Sequence, residues 1–409
     1  MKVLVFFKHS AFLRQWINLG YQGKTLLHFD FHPDADAFSR PLSSLFGRIL
    51  CEDDVVTFFQ RGDYNISDFI SVASISGILH EVHWFRSDFM DSSVRNTIVY
   101  DFFSQRGAVK DWNFFLNDSN NEMKTFEYYE ARWKCKKRFN PMDYEDISQC
   151  LISIDFDYFL SSGNSCSNLL LLLDRLESLG CEEVMLSVSY EGGFITFHNY
   201  QKLLSTISNN NLHRFDFIDC DNLFSLRLTE AYRDLQTVYY LLNAGKLDDA
   251  YSILKKYYDI CNQHPDWLFV FGVWHRRKKN YCKALEYFRS LYSWVNNNEH
   301  IANEYAALEM MVGNPLKGMQ TLENALTIFP NSPKLLYNIA SYWLMKKEYD
   351  IAGDYFIATL EQNILQPSAV FGLAQCYSKQ KKRLYYDVAL RYLSVLPINK
   401  LSIYTRRLL

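Results

Sequence analysis

Two short acidic stretches hold the residues best suited to chemistry. The first, Leu26-Leu27-His28-Phe29-Asp30-Phe31-His32-Pro33-Asp34-Ala35-Asp36, interleaves apolar residues with His28, Asp30 and His32. In an extended chain alternate residues share a face, so Asp30 and His32 stand one strand period apart. Pro33 cannot donate to a ladder, so the strand is expected to end there and release Asp34 and Asp36 into a loop. The second stretch, Cys150-Leu151-Ile152-Ser153-Ile154-Asp155-Phe156-Asp157-Tyr158-Phe159, is another apolar strand closing in Asp-x-Asp. A lone Asp-x-Asp usually starts a solvated loop. Two such strand ends in one sheet carry a charge that a cation or ion pair must offset.

With His9 at the exit of the first apolar run, the candidate ligands are His9, Asp30, His32, Asp34, Asp155 and Asp157. Two imidazoles and four carboxylates overcharge a single divalent ion and suit two. The absence of thiolate favours manganese over the alternatives iron, cobalt and zinc. Two adjacent ions can acidify a shared water, so metal-assisted hydrolysis is the reaction class expected.

The elements that must position these residues read as a β-α-β opening. Met1 to Phe7 is expected as a strand, Ala11 to Gly20 as a helix stopped by Gly20 or Gly23, and Thr25 to Phe31 as the first acidic strand. Ile66 to Leu79 is expected as a helix and Glu81 to Phe85 as a strand. Residues 87–147 show no clear period; within them the basic run Lys134-Cys135-Lys136-Lys137-Arg138 reads as a solvated face. After the second acidic strand come a helix Asn168 to Leu179, a strand Glu183 to Val188, a helix Tyr200 to Ile207 and a strand Phe215 to Ile218. The expectation is an α/β fold, a parallel sheet flanked by helices, over residues 1–228.

From residue 229 to 409 the texture changes to helical signals with a period of 34. Ala250, Ala284, Gly318 and Ala352 fall at one phase, and Gly272, Ala306, Ala340 and Ala374 at a second. A third column, Leu254, Phe288, Leu322 and Phe356, is large and apolar. The last unit, near Tyr385 to Ala389, reads as slipped by about three residues. This is the spacing of an all-α tetratricopeptide-like solenoid, whose stacked helix pairs commonly hold an extended peptide. Stacking that merely extends or dimerises the chain is the alternative.

Composition narrows the partners. Hydrophobic residues make up 48% of 409 and aromatics 16%, enough for large cores. The net charge of −3 argues against a nucleic-acid binder. Nine scattered cysteines without a C-x-x-C pair suggest reduced thiols and a cytoplasmic setting. No apolar run approaches a membrane span, and none near the start suits a signal peptide.

His9, then D-F-H-P-D at 30–34, then S-I-D-F-D at 153–157, resembles the arginase/ureohydrolase pattern of a His, D-x-H-x-D and S-x-D-x-D. H-F-D-F-H-P-D-A, I-D-F-D-Y-F and S-Y-E-G-G-F look most like the UPF0489 branch, which includes peptide arginases. The resemblance covers roughly residues 1–225. It implies an arginase-like sheet and a binuclear manganese site with two Mn2+ per chain. His9, Asp30, Asp34 and Asp155 would hold one ion, and Asp30, His32, Asp155 and Asp157 the other. The implied reaction converts arginine side chains of a ribosomal precursor peptide (RiPP biosynthesis) to ornithine, releasing urea.

The resemblance further implies that Asp34 accepts a hydrogen bond at the reacting water. Glu191, in Y-E-G-G, would receive the guanidinium, because a fixed carboxylate can accept two parallel N–H bonds from that planar cation. Asp36 and Tyr158 are candidates for the substrate pocket, and His83 (with His80 beside it) for a proton shuttle, although a lone His on such a strand is more often packed. The polar set that grips free arginine in related enzymes has no match here, which favours a peptide substrate or leaves the substrate open. The repeats would hold the peptide, its leader or a protein partner, with Arg276-Arg277-Lys278-Lys279 and Lys381-Lys382-Arg383 as basic runs. Two other readings remain: a single-zinc deacetylase-like amidohydrolase, against which His9 and Asp157 count, and a repeat scaffold with a vestigial hydrolase domain, against which the full ligand set counts.

Overall fold

The computed structural model describes residues 1–8, 10–30, 69–85, 124–128, 131–136, 139–159, 165–188, 195–208, 215–221, 223, 228–362 and 366–395. These form two compact units, one running to Ile253 and the other from Leu254. No described helix is long and apolar enough to cross a membrane.

The first unit is built on an eight-stranded sheet ordered β4-β5-β3-β2-β6-β7-β1-β8. Its strands are β1 (Lys2–Phe6), β2 (Lys24–Phe29), β3 (Leu79–Phe85), β4 (Lys124–Tyr128), β5 (Ala131–Lys136), β6 (Leu151–Asp155), β7 (Glu183–Ser187) and β8 (Asp216–Asp219). Among the described strands seven run parallel and β4 alone is antiparallel, pairing with β5 at one edge. The helices are α1 (Ser10–Asn18), α2 (Phe69–Ile75), α3 (Ser165–Ser178) and α4 (Phe197–Ser208), with α5 (Glu230–Asn243) and most of α6 (Leu247–Leu254) also grouping here.

Strand alternation sorts the side chains into two faces. Val3, Val5, Leu27, Phe29, Ile152, Ile154, Val184 and Leu186 point to one, where they bury against Leu169, Leu172, Leu173 and Leu176 of α3 and Tyr200, Leu203 and Ile207 of α4. Phe6 and His28 point to the other. Phe12 of α1 meets Phe6 at 5.4 Å, and Phe69 of α2 meets Phe12 at 6.2 Å and His28 at 6.4 Å between ring centres. Helices therefore cover both faces, as a parallel sheet requires.

The sequence expectations need several adjustments. The first acidic strand stops at Phe29, and Asp30 already lies beyond it. The helix expected over 66–79 is described as Phe69–Ile75, and Leu79 begins β3. The stretch without a readable period contains the β4–β5 pair. In β5, Ala131 and Trp133 are buried while Arg132 is exposed, and the Lys134 ammonium bonds Glu81 Oε1 at 2.7 Å. The expectation of a solvated basic face therefore misses a half-buried strand.

The second unit repeats a helix pair. First helices begin at Pro265, Glu299, Pro333 and Pro367, and second helices at Tyr281, Pro315, Tyr349 and Arg383. They are α7 (Pro265–Arg277), α8 (Tyr281–Trp294), α9 (Glu299–Met311), α10 (Pro315–Ile328), α11 (Pro333–Met345), α12 (Tyr349–Gln362), α13 (Pro367–Lys379) and α14 (Arg383–Val395). Every start recurs after 34 residues, so the last pair has not slipped; what moves is its buried small residue, Ala389, with the half-buried Tyr386 at the regular position.

The caps follow the same period. His264, Asn298 and Ser332 each accept a backbone N–H of the first turn. Between the helices of a pair, Lys279, Gly313, Lys347 and Lys381 occupy one left-handed turn position, at φ 62°, 99°, 67° and 59°. The three columns are buried as expected: Ala284 and Ala306 are fully enclosed, as are Phe288 and Leu322. The unit is thus a tetratricopeptide-like helical repeat by its own geometry.

Candidate metal centre

The site begins at a branch in the chain path. From β2 the chain continues to β3 on one side, and from its neighbour β6 to β7 on the other. Adjacent strands whose onward connections diverge leave a crevice at their C-terminal ends, where open α/β sheets hold their ligands. Asp30 directly follows β2 and Asp155 ends β6. The register pairs His28 with Ser153 and Phe29 with Ile154. Asp30 and Asp155 therefore come next, side by side, on the face of His28 and Ser153.

Asp157 arrives by a different route from the one its spacing suggests. The strand stops at Asp155, and Phe156–Phe159 forms a 3-10 turn. That turn, not strand alternation, returns Asp157 to the cluster, with its N–H 3.4 Å from Asp155 Oδ1. Carboxylate oxygens of Asp30, Asp155 and Asp157 all lie within 4.8 Å of one another. The three residues are 0%, 3% and 5% exposed. Around them Trp84 Nε1–H donates to the Asp30 carbonyl at 3.1 Å, and the buried Ser187 pairs with Asp155 in register.

Three buried carboxylates this close to one another make a pocket suited to a cation. Their all-oxygen donor set fits a hard or borderline divalent ion such as manganese. Of the six expected ligands the structure brings these three together. His9, His32 and Asp34 lie outside the described residues, as do the substrate candidates Asp36 and Glu191.

The remaining candidates sit elsewhere. His83 pairs in register with Leu27, which places it on the Leu27 and Phe29 face, opposite Asp30. There its Nδ1 meets the Tyr144 hydroxyl at 2.5 Å and its Nε2 meets Glu81 Oε1 at 2.6 Å. Burial alone would raise the Glu81 carboxyl, but hydrogen bonds from Lys134 and His83 outweigh it and hold the group below the usual carboxylate range. Burial pushes the Tyr144 hydroxyl well above its ordinary value. Tyr158 packs edge-on to Phe29 at 5.9 Å and Phe159 at 5.0 Å, inside the core on that face.

Two residues that the spacing argument passed over stand beside the carboxylates. His28 Nδ1 lies 2.6 Å from Ser153 Oγ, and His28 Nε2 lies 3.5 Å from Asp30 Oδ2. Their signal was present in the sequence: each is a polar residue inside an otherwise apolar strand, on the phase of the acid that follows.

No family model matches the chain, and no curated protein matches it. Among solved structures it is similar to YrrB, described as a TPR protein with an unusual peptide-binding site, at 15% identity and a TM-score of 0.35, over 44% of this chain and 92% of that one. It is similar to Pseudomonas aeruginosa PilF at 21% identity and 0.35, over 40% and 72%. It is also similar to the type IV pilus biogenesis factor PilW at 17% and 0.37, over 41% and 79%.

Proposed function

We propose that the chain is a binuclear manganese hydrolase that converts arginine side chains of a ribosomal precursor peptide to ornithine and urea, with the repeats holding the peptide or its leader. The observation that carries the hydrolase reading is the buried Asp30–Asp155–Asp157 cluster at the sheet's branch point. The motif resemblance supplies the choice of substrate.

Hydrolysis of a guanidino group adds the oxygen of water to its central carbon, breaks the bond from that carbon to the side-chain nitrogen, and delivers a proton to that nitrogen. Divalent ions bound at the carboxylates would supply charge compensation and an acidified water. The chain's part is to hold them with Asp30, Asp155 and Asp157, joined by His9, His32 and Asp34 in the proposed set. Asp34 would accept a hydrogen bond from the attacking water, and Glu191 would orient the guanidinium through paired N–H···O bonds. The proposal does not use His83 as a proton shuttle, since Glu81 and Tyr144 engage both of its ring nitrogens on the opposite face.

Mass spectrometry of an arginine-containing precursor peptide incubated with the manganese-loaded protein tests the reading. The expected result is a loss of about 42 Da per converted arginine, absent from the Asp155→Ala, Asp157→Ala double variant. Unchanged peptide, with no urea from free arginine either, would overturn the assignment.

A further inference from the structure

We infer that His28, fixed by Ser153, is a positioning residue that holds the Asp30 carboxylate in the orientation that takes a divalent cation; the inference rests on the metal-centre reading above. His28 is 1% exposed and Ser153 fully buried, in adjacent parallel strands and in register. A buried polar side chain is costly unless paired, and an apolar residue would fill the place at less cost if packing were the only demand.

Ser153 Oγ and His28 Nδ1 lie 2.6 Å apart, and in the tautomer with the ring proton on Nε2 the hydroxyl donates to Nδ1. Nε2 faces Asp30 Oδ2 at 3.5 Å, a polar contact just beyond a formed hydrogen bond. Phe69 stands edge-on to the imidazole at 6.4 Å and limits its tilt. The ring is therefore held between Ser153 and Phe69 with Nε2 turned to one oxygen of a cluster carboxylate. Polar groups placed behind ligating carboxylates orient them and tune metal affinity.

The test is a Mn2+ titration of the full chain, read from the electron paramagnetic resonance signal of free Mn2+, with circular dichroism of each metal-free variant as the check on folding. His28→Leu is expected to weaken binding about 10- to 100-fold. His28→Gln, whose amide N–H reaches toward the same oxygen, is expected to recover most of the loss, and Ser153→Ala to fall between. Folded His28→Leu protein that binds Mn2+ like the unaltered chain overturns the inference, as does a Gln variant no better than Leu. Asp155→Asn separates the two readings. If it loses Mn2+ while His28→Leu does not, the metal centre stands and the positioning role falls; if Asp155→Asn binds unchanged, both fall.

Discussion

The Asp155 carboxylate sits 3% exposed beside Asp30 and Asp157, so an ion held by all three would stabilise the fold. With Mn2+ at about 100 times its Kd, the unaltered chain is expected to gain roughly 2.7 kcal/mol and Asp155→Asn far less. Thermal melts with and without Mn2+ check this; a variant stabilised equally by the ion contradicts the site.

Glu81 offers a second test at this scale, on the opposite face. Its carboxyl is held below the usual range in the fold, so its contribution is full above the ordinary carboxylate pKa and fades as pH falls through the folded value. Glu81→Gln is therefore expected to be less stable than the unaltered chain at pH 7, with the gap closing toward pH 3. Urea unfolding at the two pH values reads it. A gap that widens in acid contradicts the Lys134 and His83 pairing.

Element by element, what was legible followed from period. β1 and β6 announce themselves as short apolar runs, and the helical columns because helix starts recur every 34 residues. The β4–β5 pair was not legible: it is short, lies at the sheet edge, and its buried Ala131 and Trp133 stand among charged residues of the sequence. The spacing of the Asp-x-Asp at 155–157 predicts a strand end, but Asp157 reaches the cluster by a 3-10 turn that no spacing rule distinguishes.

The repeat helices make a sharp prediction about glycine. A Cβ on Gly318 of α10 would come within 2.7 Å of the Ala306 carbonyl oxygen and 2.6 Å of Met310 Cγ. A Cβ on Gly353 of α12 would meet only Leu373 at 3.9 Å. Helix propensity favours Ala at both by about 1 kcal/mol. Gly353→Ala is expected to gain about that much, whereas Gly318→Ala is expected to lose about 1–3 kcal/mol to overpacking. Denaturant unfolding of both variants measures the contrast, and equal gains would contradict the close approach of α9 and α10.

On the scale of the whole chain, the carboxylate cluster and the repeats lie in different units, one to Ile253 and one from Leu254. The sequence separated these textures because a two-residue period and a 34-residue period leave different marks. It did not disclose the strand order, which depends on non-local pairing, and the branch between β2 and β6 emerges only from that order. In calorimetry, Mn2+ is expected to raise the transition of the sheet unit and leave that of the repeats unmoved, and a shift confined to the repeats would contradict this division.

Crystals grown with Mn2+ test through anomalous scattering whether Asp30, Asp155 and Asp157 hold metal. Two adjacent anomalous peaks are expected in the crevice beyond β2 and β6, contacted by oxygens of all three carboxylates. Anomalous density elsewhere on the chain, with none at these carboxylates, would contradict the metal centre.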